Sequence, residues 1–337
     1  MITIGKPISK TLISQTFDWK RLVHSQNRIH SARLLEKDNY YEVFSCLICD
    51  AQTSPYLEVD GVAYGQCNDC NHVQSSIRPT LNFVQNLYGS NQKEYSPQDL
   101  AYVDLSPAEL ANRAEEIAAP KVEWVKNLID FHPNDPWIDI GSGTGDILLA
   151  ARQLGFEILG IEASPSEISI AENRSIPTLA MFYDGTQRIS QMYSAKVISM
   201  FNVLEHTLDP LNVLLSFSQQ MCTGSYLVIE VPRINSLTSI VQLAKPKNIY
   251  RHIFSPEHLN IFSDQSIESC LNQLSFTREA TWYFGSDAIE IFGHISGLIR
   301  PEYDGGLDEY FHEINTLQEQ IDKFGLSDAM LLIARKK

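Results

Sequence analysis

Four cysteines stand in two close pairs, Cys46/Cys49 and Cys67/Cys70, in the pattern C-x2-C-x17-C-x2-C. A CxxC turn aims two thiolates at one point, and two such turns joined by a hairpin complete a tetrahedral shell of soft ligands. A shell with no open position suits a structural ion, because catalysis by zinc keeps one position for water. Zinc is the expected occupant. A four-thiolate iron site is the competing reading, and free buried cysteines are the bland one. His72, just after the last cysteine, reads as a surface or packing residue rather than a further ligand, and the isolated Cys222 and Cys270 read as buried structural residues.

A second chemical signal lies in WIDIGSGTGDILLA, where Gly141, Gly143 and Gly145 follow a buried strand and precede an apolar helix. Glycines there let the backbone turn sharply and approach a ligand, and the helix N-terminus offers unpaired N–H groups. Glu162 ends the next strand, where a carboxylate can accept hydrogen bonds from ribose hydroxyls. Together these describe a nucleoside site. The competing dinucleotide motif GxGxxG requires glycine where this chain has Asp146, and an acid there would face a pyrophosphate.

The GxGxG loop preceded by Asp139, the run FNVLEHTLDPLNVL, and LNQLSF with the final DAMLLIARK resemble class I S-adenosylmethionine-dependent methyltransferases from Pro120 to Lys337. The resemblance implies S-adenosylmethionine as cofactor, its methionine part held by the loop Asp139, Gly141, Ser142, Gly143 and Gly145, and its ribose by Glu162. It also implies Asp184 near the adenine, although Asp-Gly there is equally a plain turn, and Asn202 at the methionyl end. The cysteine unit followed by NLYGSNQKEYSP resembles the N-terminal zinc-binding region of a bacterial methyltransferase group linked to sugar C-methylation and to surface-polysaccharide or natural-product pathways. A sugar acceptor, nucleotide- or lipid-linked, is what that resemblance implies.

Methyl transfer from a sulfonium is an in-line displacement, so alignment and desolvation supply much of the rate. A hydroxyl or an acidic carbon also needs a base. Glu205 and His206 follow the fourth strand, at the end of a doubly wound sheet where ligands bind, and His206 is the expected base. His258 is the reserve, within AKPKNIYRHIFSPEHLNIFS, a segment placed where this superfamily carries a substrate lid. In the same segment Tyr250 and His252 are further candidates, and Lys247 or Arg251 could hold a substrate phosphate. Each histidine has the alternative of simply pinning its loop to the core.

These residues need a scaffold, and the alternation of elements supplies one. From Trp137 onward strands WIDI, FEILGIEA, TLAMFY, KVISMFN and SYLVIEVP alternate with helical stretches, which implies parallel pairing with right-handed crossovers. After helix SDQSIESCLNQL come strands FTREATWYF, whose Trp282, Tyr283 and Phe284 read as core, and AMLLIARKK. The expected fold is α/β, a doubly wound Rossmann-like methyltransferase sheet with an N-terminal zinc ribbon and a helical connector. Its parts are an extension over 1–40, the ribbon over 41–78 with a hairpin at Asp60-Gly61, a connector over 79–119 and the catalytic domain over 120–337. Ser106, Pro107 and Glu109 form a capping box that starts the helix leading into that domain.

Charge narrows the partners. The chain carries a formal net charge of -15 over 337 residues, and between Tyr41 and Arg78 the only strong base is Arg78 against Glu42, Asp50, Glu58, Asp60 and Asp69. Such a ribbon repels phosphate backbones, so no nucleic-acid partner is expected. Neither a secretion signal nor an apolar run long enough to span a membrane is present, and a cytoplasmic location is expected. An RNA methyltransferase with a zinc knuckle remains the enzymatic alternative. A cofactor-binding protein that uses its ribbon to bind other proteins remains the non-enzymatic one.

Overall fold

The structure, a computed structural model, describes residues 1–3, 5, 17–89, 105–244, 252–253, 255–292 and 311–337. Lys247, Tyr250 and Arg251, and the NLYGSNQKEYSP run from residue 90 on, lie outside the described residues.

The N-terminal third begins with a helix, Phe17–Leu34, where the sequence offered no readable signal. Strand β1 (Tyr40–Glu42) pairs antiparallel with β5 (Ile77–Pro79). Between them β2 (Thr53–Val59) and β3 (Val62–Cys67) form the expected hairpin, turning at Asp60 (φ 49°) and Gly61 (φ 82°). Positive φ at both central positions is the turn whose twist matches paired strands, and the Asp-Gly pair tolerates it. Strand β4 (Val73–Ser75) adds to β3, and a helix, Leu81–Gly89, follows β5.

Ser106 caps the helix Pro107–Arg113, with Glu109 returning the capping-box bond as read from the sequence. A π turn, Ala114–Ala118, joins it to the helix Ala119–Leu128. Pro120 lacks an N–H and its ring would crowd the carbonyl of Glu116, which is the physical reason for the shift in hydrogen-bond register.

The main sheet comprises β6 (Pro136–Ile140), β7 (Glu157–Glu162), β8 (Thr178–Ala180), β9 (Val197–Phe201), β10 (Tyr226–Pro232), β12 (Phe276–Phe284) and β13 (Ala329–Lys336). Their spatial order is β12-β13-β10-β9-β6-β7-β8. Strands β6 to β10 are parallel, and β13 inserts antiparallel between β10 and β12. The α/β class and the doubly wound topology are as expected. Every residue of β10 is buried, as a strand covered by helices on both faces requires. Successive side chains serve opposite faces: Ile138 and Ile140 enter one core, Trp137 the other. The chain leaves β6 toward β7 on one side and returns to β9 on the other, so the crevice at the carboxyl ends of β6 and β9 is the topological switch point.

The ribbon does not stand apart. Its sheet gains a fourth strand, β11 (Asn260–Ile261), paired antiparallel with β4 and supplied by the segment after β10. Cys46, Ile48, Cys67 and Cys70 share one apolar core with Phe262, Ile267, Leu214 and Phe217. Cys270 lies buried in that core, whereas Cys222, expected inside, is exposed just beyond the helix Pro210–Gln220, where its thiol donates to the Tyr193 carbonyl. Among the described residues no helix is long and apolar enough to cross a membrane.

Candidate active site

The glycine loop leaves β6 with Gly141, Gly143 and Gly145 at φ 67°, 52° and 82°. A β-carbon on Gly141 would lie 2.5 Å from Val203, so size as well as conformation excludes other residues there. At Gly143 the nearest atom, Glu167 Oε1, would be 3.4 Å away, so positive φ alone is the constraint. Glu162 ties this loop to the next strand. Its Oε2 accepts from the Gly143 N–H (2.8 Å), and its Oε1 from the N–H groups of Ala163 (2.7 Å) and Ser164 (2.8 Å). A ribose would therefore meet a carboxylate whose direction the backbone has already fixed. Ser142 is buried, and its hydroxyl oxygen has no partner among the described residues, an orphan that a polar ligand in the loop could satisfy.

Asp139 lies beneath the loop, buried, and accepts from Ser199 Oγ at 2.6 Å, while Trp137 Nε1 donates to that hydroxyl at 2.7 Å. Burial pushes the Asp139 carboxyl well above the usual carboxylate range, and the neighbouring Glu162 and Glu230 add to the effect. Asn202, at the end of β9 with φ 54°, donates from Nδ2 to Glu230 Oε1 at 2.9 Å. Glu230 is in turn paired with Lys121 at 2.6 Å, an ion pair buried on both sides. Asp146 is offset by Arg174, whose Nη1 lies 2.5 Å from Oδ1 and also donates to the Thr144 carbonyl. Asp184 closes its own turn, accepting from the Thr186 N–H and hydroxyl. At the carboxyl ends of β7 and β8 lies a cavity of about 540 Å³ lined by Gln85, Ala163, Pro165, Ile168, Met181 and Phe182, and Asp184 is not part of its wall. A largely apolar wall of this kind suits the flat body of a purine.

The second cluster forms where a short 3-10 turn, Leu204–His206, follows β9. Glu205 is fully buried, and neither of its carboxylate oxygens has a hydrogen-bond partner among the described residues. Burial, then Glu230, pushes its carboxyl well above the ordinary range. His206 Nε2 lies 4.0 Å from Glu205 Oε1, and Nδ1 donates to the Glu257 carbonyl at 3.0 Å. Its pKa is driven down to about 4, chiefly by burial, so the ring is neutral near pH 7. The His258 ring stands edge-on to that of His206, 4.7 Å between centroids, and donates from Nδ1 to the His252 carbonyl at 2.9 Å. Burial, followed by His206 and His252, lowers its pKa well below the usual value. One atom from each of Glu205, His206 and His258 falls within 4.8 Å of the others. Each ring thus presents Nδ1 to a carbonyl acceptor, and His206 also meets the backbone of Asn202. Two residues that sequence reasoning missed complete the surroundings: Tyr88, whose hydroxyl lies 3.4 Å from His206 Nδ1, and Gln85 in the cavity wall. Both come from the helix Leu81–Gly89, and nothing in its spacing marks them as site residues.

The four sulfurs of Cys46, Cys49, Cys67 and Cys70 lie within 4.8 Å of one another, with contacts of 3.4–3.6 Å. Each knuckle ends in a residue with positive φ, Asp50 (60°) and Asn71 (57°). Backbone N–H groups of Ile48, Asp69 and Cys70 point at cysteine sulfurs at 3.4 Å. Zn–S bonds of about 2.3 Å in a tetrahedron place sulfurs just under 4 Å apart, so this donor set fits one zinc-sized ion with N–H groups supporting thiolate charge.

Residues 108–280, just over half of the chain of 337 residues, match the model of a family described as "Methyltransferase domain". The chain belongs to that family. Membership supports S-adenosylmethionine-dependent methyl transfer in general and S-adenosylmethionine as the methyl donor. No curated protein matches the methyltransferase. Among solved structures, a SAM-dependent methyltransferase from Archaeoglobus fulgidus is 20% identical with a TM-score of 0.44, covering 68% of this chain and 100% of that one. One from Thermotoga maritima is 17% identical with a TM-score of 0.45, over 68% and 95%. The geranyl diphosphate C-methyltransferase of Streptomyces coelicolor is 11% identical with a TM-score of 0.44, over 73% and 88%. Likenesses of this degree do not speak to the acceptor.

Proposed function

We propose that this methyltransferase acts in the cytoplasm on a sugar, nucleotide- or lipid-linked, at a hydroxyl or an acidified carbon, with the ribbon holding one structural zinc. The observation that carries the acceptor class is the meeting of buried Glu205 and His258 with the half-buried His206 just beyond the carboxyl end of β9. An amine acceptor needs only to be neutral, whereas a hydroxyl or carbon acid needs a base, and two neutral imidazoles supply one.

Bound S-adenosylmethionine supplies a methyl group on a positively charged sulfur. The loop from Gly141 to Gly145 and Glu162 hold that donor, and Met181 and Phe182 cover its base. His206, or His258 beside it, takes the proton from the acceptor oxygen or carbon as the new bond to methyl forms. The electron pair of the broken carbon–sulfur bond stays on sulfur, which leaves S-adenosylhomocysteine. Because the one strong base of the ribbon, Arg78, is buried, the acidic ribbon surface disfavours RNA.

The test is a transfer screen with methyl-labelled S-adenosylmethionine against nucleotide sugars, RNA and small metabolites. Label in a nucleotide sugar, lost in His206→Gln or His258→Gln, supports the reading. Label in RNA, or none in any acceptor despite cofactor binding, overturns it in favour of the RNA enzyme or the non-catalytic binder.

A further inference from the structure

A single buried cation joins the ribbon to the histidine pocket. Arg78, at the ribbon's end, is fully buried. Its Nη1 donates to the Leu259 carbonyl at 3.0 Å and its Nη2 to Asn260 Oδ1 at 2.7 Å. Asn260, also fully buried, passes the connection on, donating from Nδ2 to the carbonyls of Thr207 (2.8 Å) and Glu205 (3.3 Å). The Leu259 N–H donates to that same Glu205 carbonyl at 2.9 Å. From the ribbon side the Ser75 N–H donates to the Leu259 carbonyl at 3.0 Å and the Tyr64 hydroxyl to the His258 carbonyl at 2.9 Å. The backbone from His258 to Asn260 is thus clamped between the ribbon and the turn that carries Glu205 and His206.

Both acceptors of the Arg78 guanidinium are uncharged. A buried cation whose hydrogen-bond acceptors among the described residues are all uncharged is costly to desolvate, and an apolar side chain of similar volume would fill the space with less penalty. Arginine does what such a side chain cannot: its rigid fork fixes the relative position of two acceptors, one on the backbone and one on a side chain. We propose that Arg78 is a positioning residue which, through Leu259 and Asn260, sets the separation of His206 and His258 and so makes the four-cysteine ribbon part of the active-site framework. The inference rests on the proposed role of the two histidines, but its test reads their surroundings rather than turnover, so either can fail alone.

The experiment uses the full-length, zinc-loaded protein labelled with 15N-histidine, with His206→Gln and His258→Gln spectra to assign the rings. Arg78→Lys keeps the charge but loses the fork, and Asn260→Ser cuts the far end of the link. Zinc content and calorimetric affinity for S-adenosylhomocysteine are expected to stay within about twofold of wild type in both variants, because neither knuckle nor glycine loop is touched. The ring signals of His206 and His258 are expected to shift, with mixed tautomers and a His206 titration raised from about 4 by roughly one unit or more. Unshifted imidazole spectra in both variants overturn the proposal. So does a fall in zinc and cofactor binding in step with the ring signals, which marks general loss of structure.

Discussion

The cysteine centre and the histidine cluster are both gatherings of side chains able to ligate, yet they are assembled on opposite plans. In the ribbon each pair of ligands comes from a single turn, closed by local bonds such as Asp50 N–H to the Cys46 carbonyl and Asn71 N–H to that of Cys67. In the pocket His206 meets the Glu257 carbonyl across 51 residues and the Tyr88 hydroxyl across 118. Local turns make spacing a sufficient signal; crossings of distant segments leave no spacing to read. The two plans nevertheless meet physically, since β11 belongs to the ribbon's sheet and adjoins His258 in sequence.

The harshest way to break the comparison is to remove a ligand of the local site. Cys67→Ser is expected to lose the single zinc found by elemental analysis of the parent. It should also lower the melting temperature by roughly 10 °C or more, since several kcal/mol are forfeited and each is worth about 2–4 °C in a chain this size. Because the knuckles share a core with Phe262 and Ile267, one transition involving both units is expected in calorimetry. Separate melting of an intact catalytic domain would show the plans to be independent after all.

Next in size comes the distant site. Replacing His206 by Gln is expected to lower turnover on the identified acceptor by roughly two to four decades, with S-adenosylhomocysteine affinity almost unchanged. His258→Gln, measured alongside, decides which ring takes the proton, and full activity in both variants removes the base from this pocket. Smaller again is the cofactor end. Glu162→Ala frees the Gly143 N–H and removes the ribose acceptor, so affinity should fall by about 10–100-fold, or 1.4–2.8 kcal/mol. Gly143→Val adds strain at positive φ without a severe clash, so it should weaken binding less than its neighbour Gly141→Val, which meets Val203. Wild-type affinity in Glu162→Ala would remove it from the binding loop.

The mildest effect is on pH dependence, away from both sites. Burial, and then Asp328, pushes the Asp287 carboxyl from 3.8 up to about 7. With the folded value above the unfolded one, its contribution is fully present below 3.8 and is lost as pH rises toward 7. His206 acts in the opposite sense: its folded value near 4 lies below the usual 6.5, so stability is lost as pH falls through that window. Asp287→Asn should therefore remove a slope of at most about 1.4 kcal/mol per pH unit between 4 and 7, measurable by urea unfolding. An unchanged slope sinks the assignment.

Much of the scaffold was legible in the residues. The buried runs WIDI and SYLVIEVP became β6 and β10, and the Ser106 box capped its helix, because hydrophobic period and capping chemistry act within a few residues. Helices Phe17–Leu34 and Phe311–Lys323 were not read, and Leu81–Gly89 only as part of the helical connector, since no capping box marks their starts. The two-residue strand β11 was invisible for a different reason: it exists only because Val73 and Gln74 lie opposite it. In the same way Arg78 read only as the ribbon's one strong base and proved to be fully buried, its fork on Leu259 and Asn260.

What the sequence determined by itself was whatever short-range physics can encode: two knuckles able to close on one ion, a glycine turn with positive φ at the end of a buried strand, and a parallel α/β sheet from its alternating pattern. Tertiary structure alone decided that His206 and His258 stand face to edge and that Tyr88 reaches the first of them. It also set Glu205 without a hydrogen-bonding partner among the described residues, and joined the ribbon's sheet to the strand that follows His258. The reason is that these arrangements depend on where chain segments cross, and a crossing is fixed by the packing of whole layers rather than by any local run of residues.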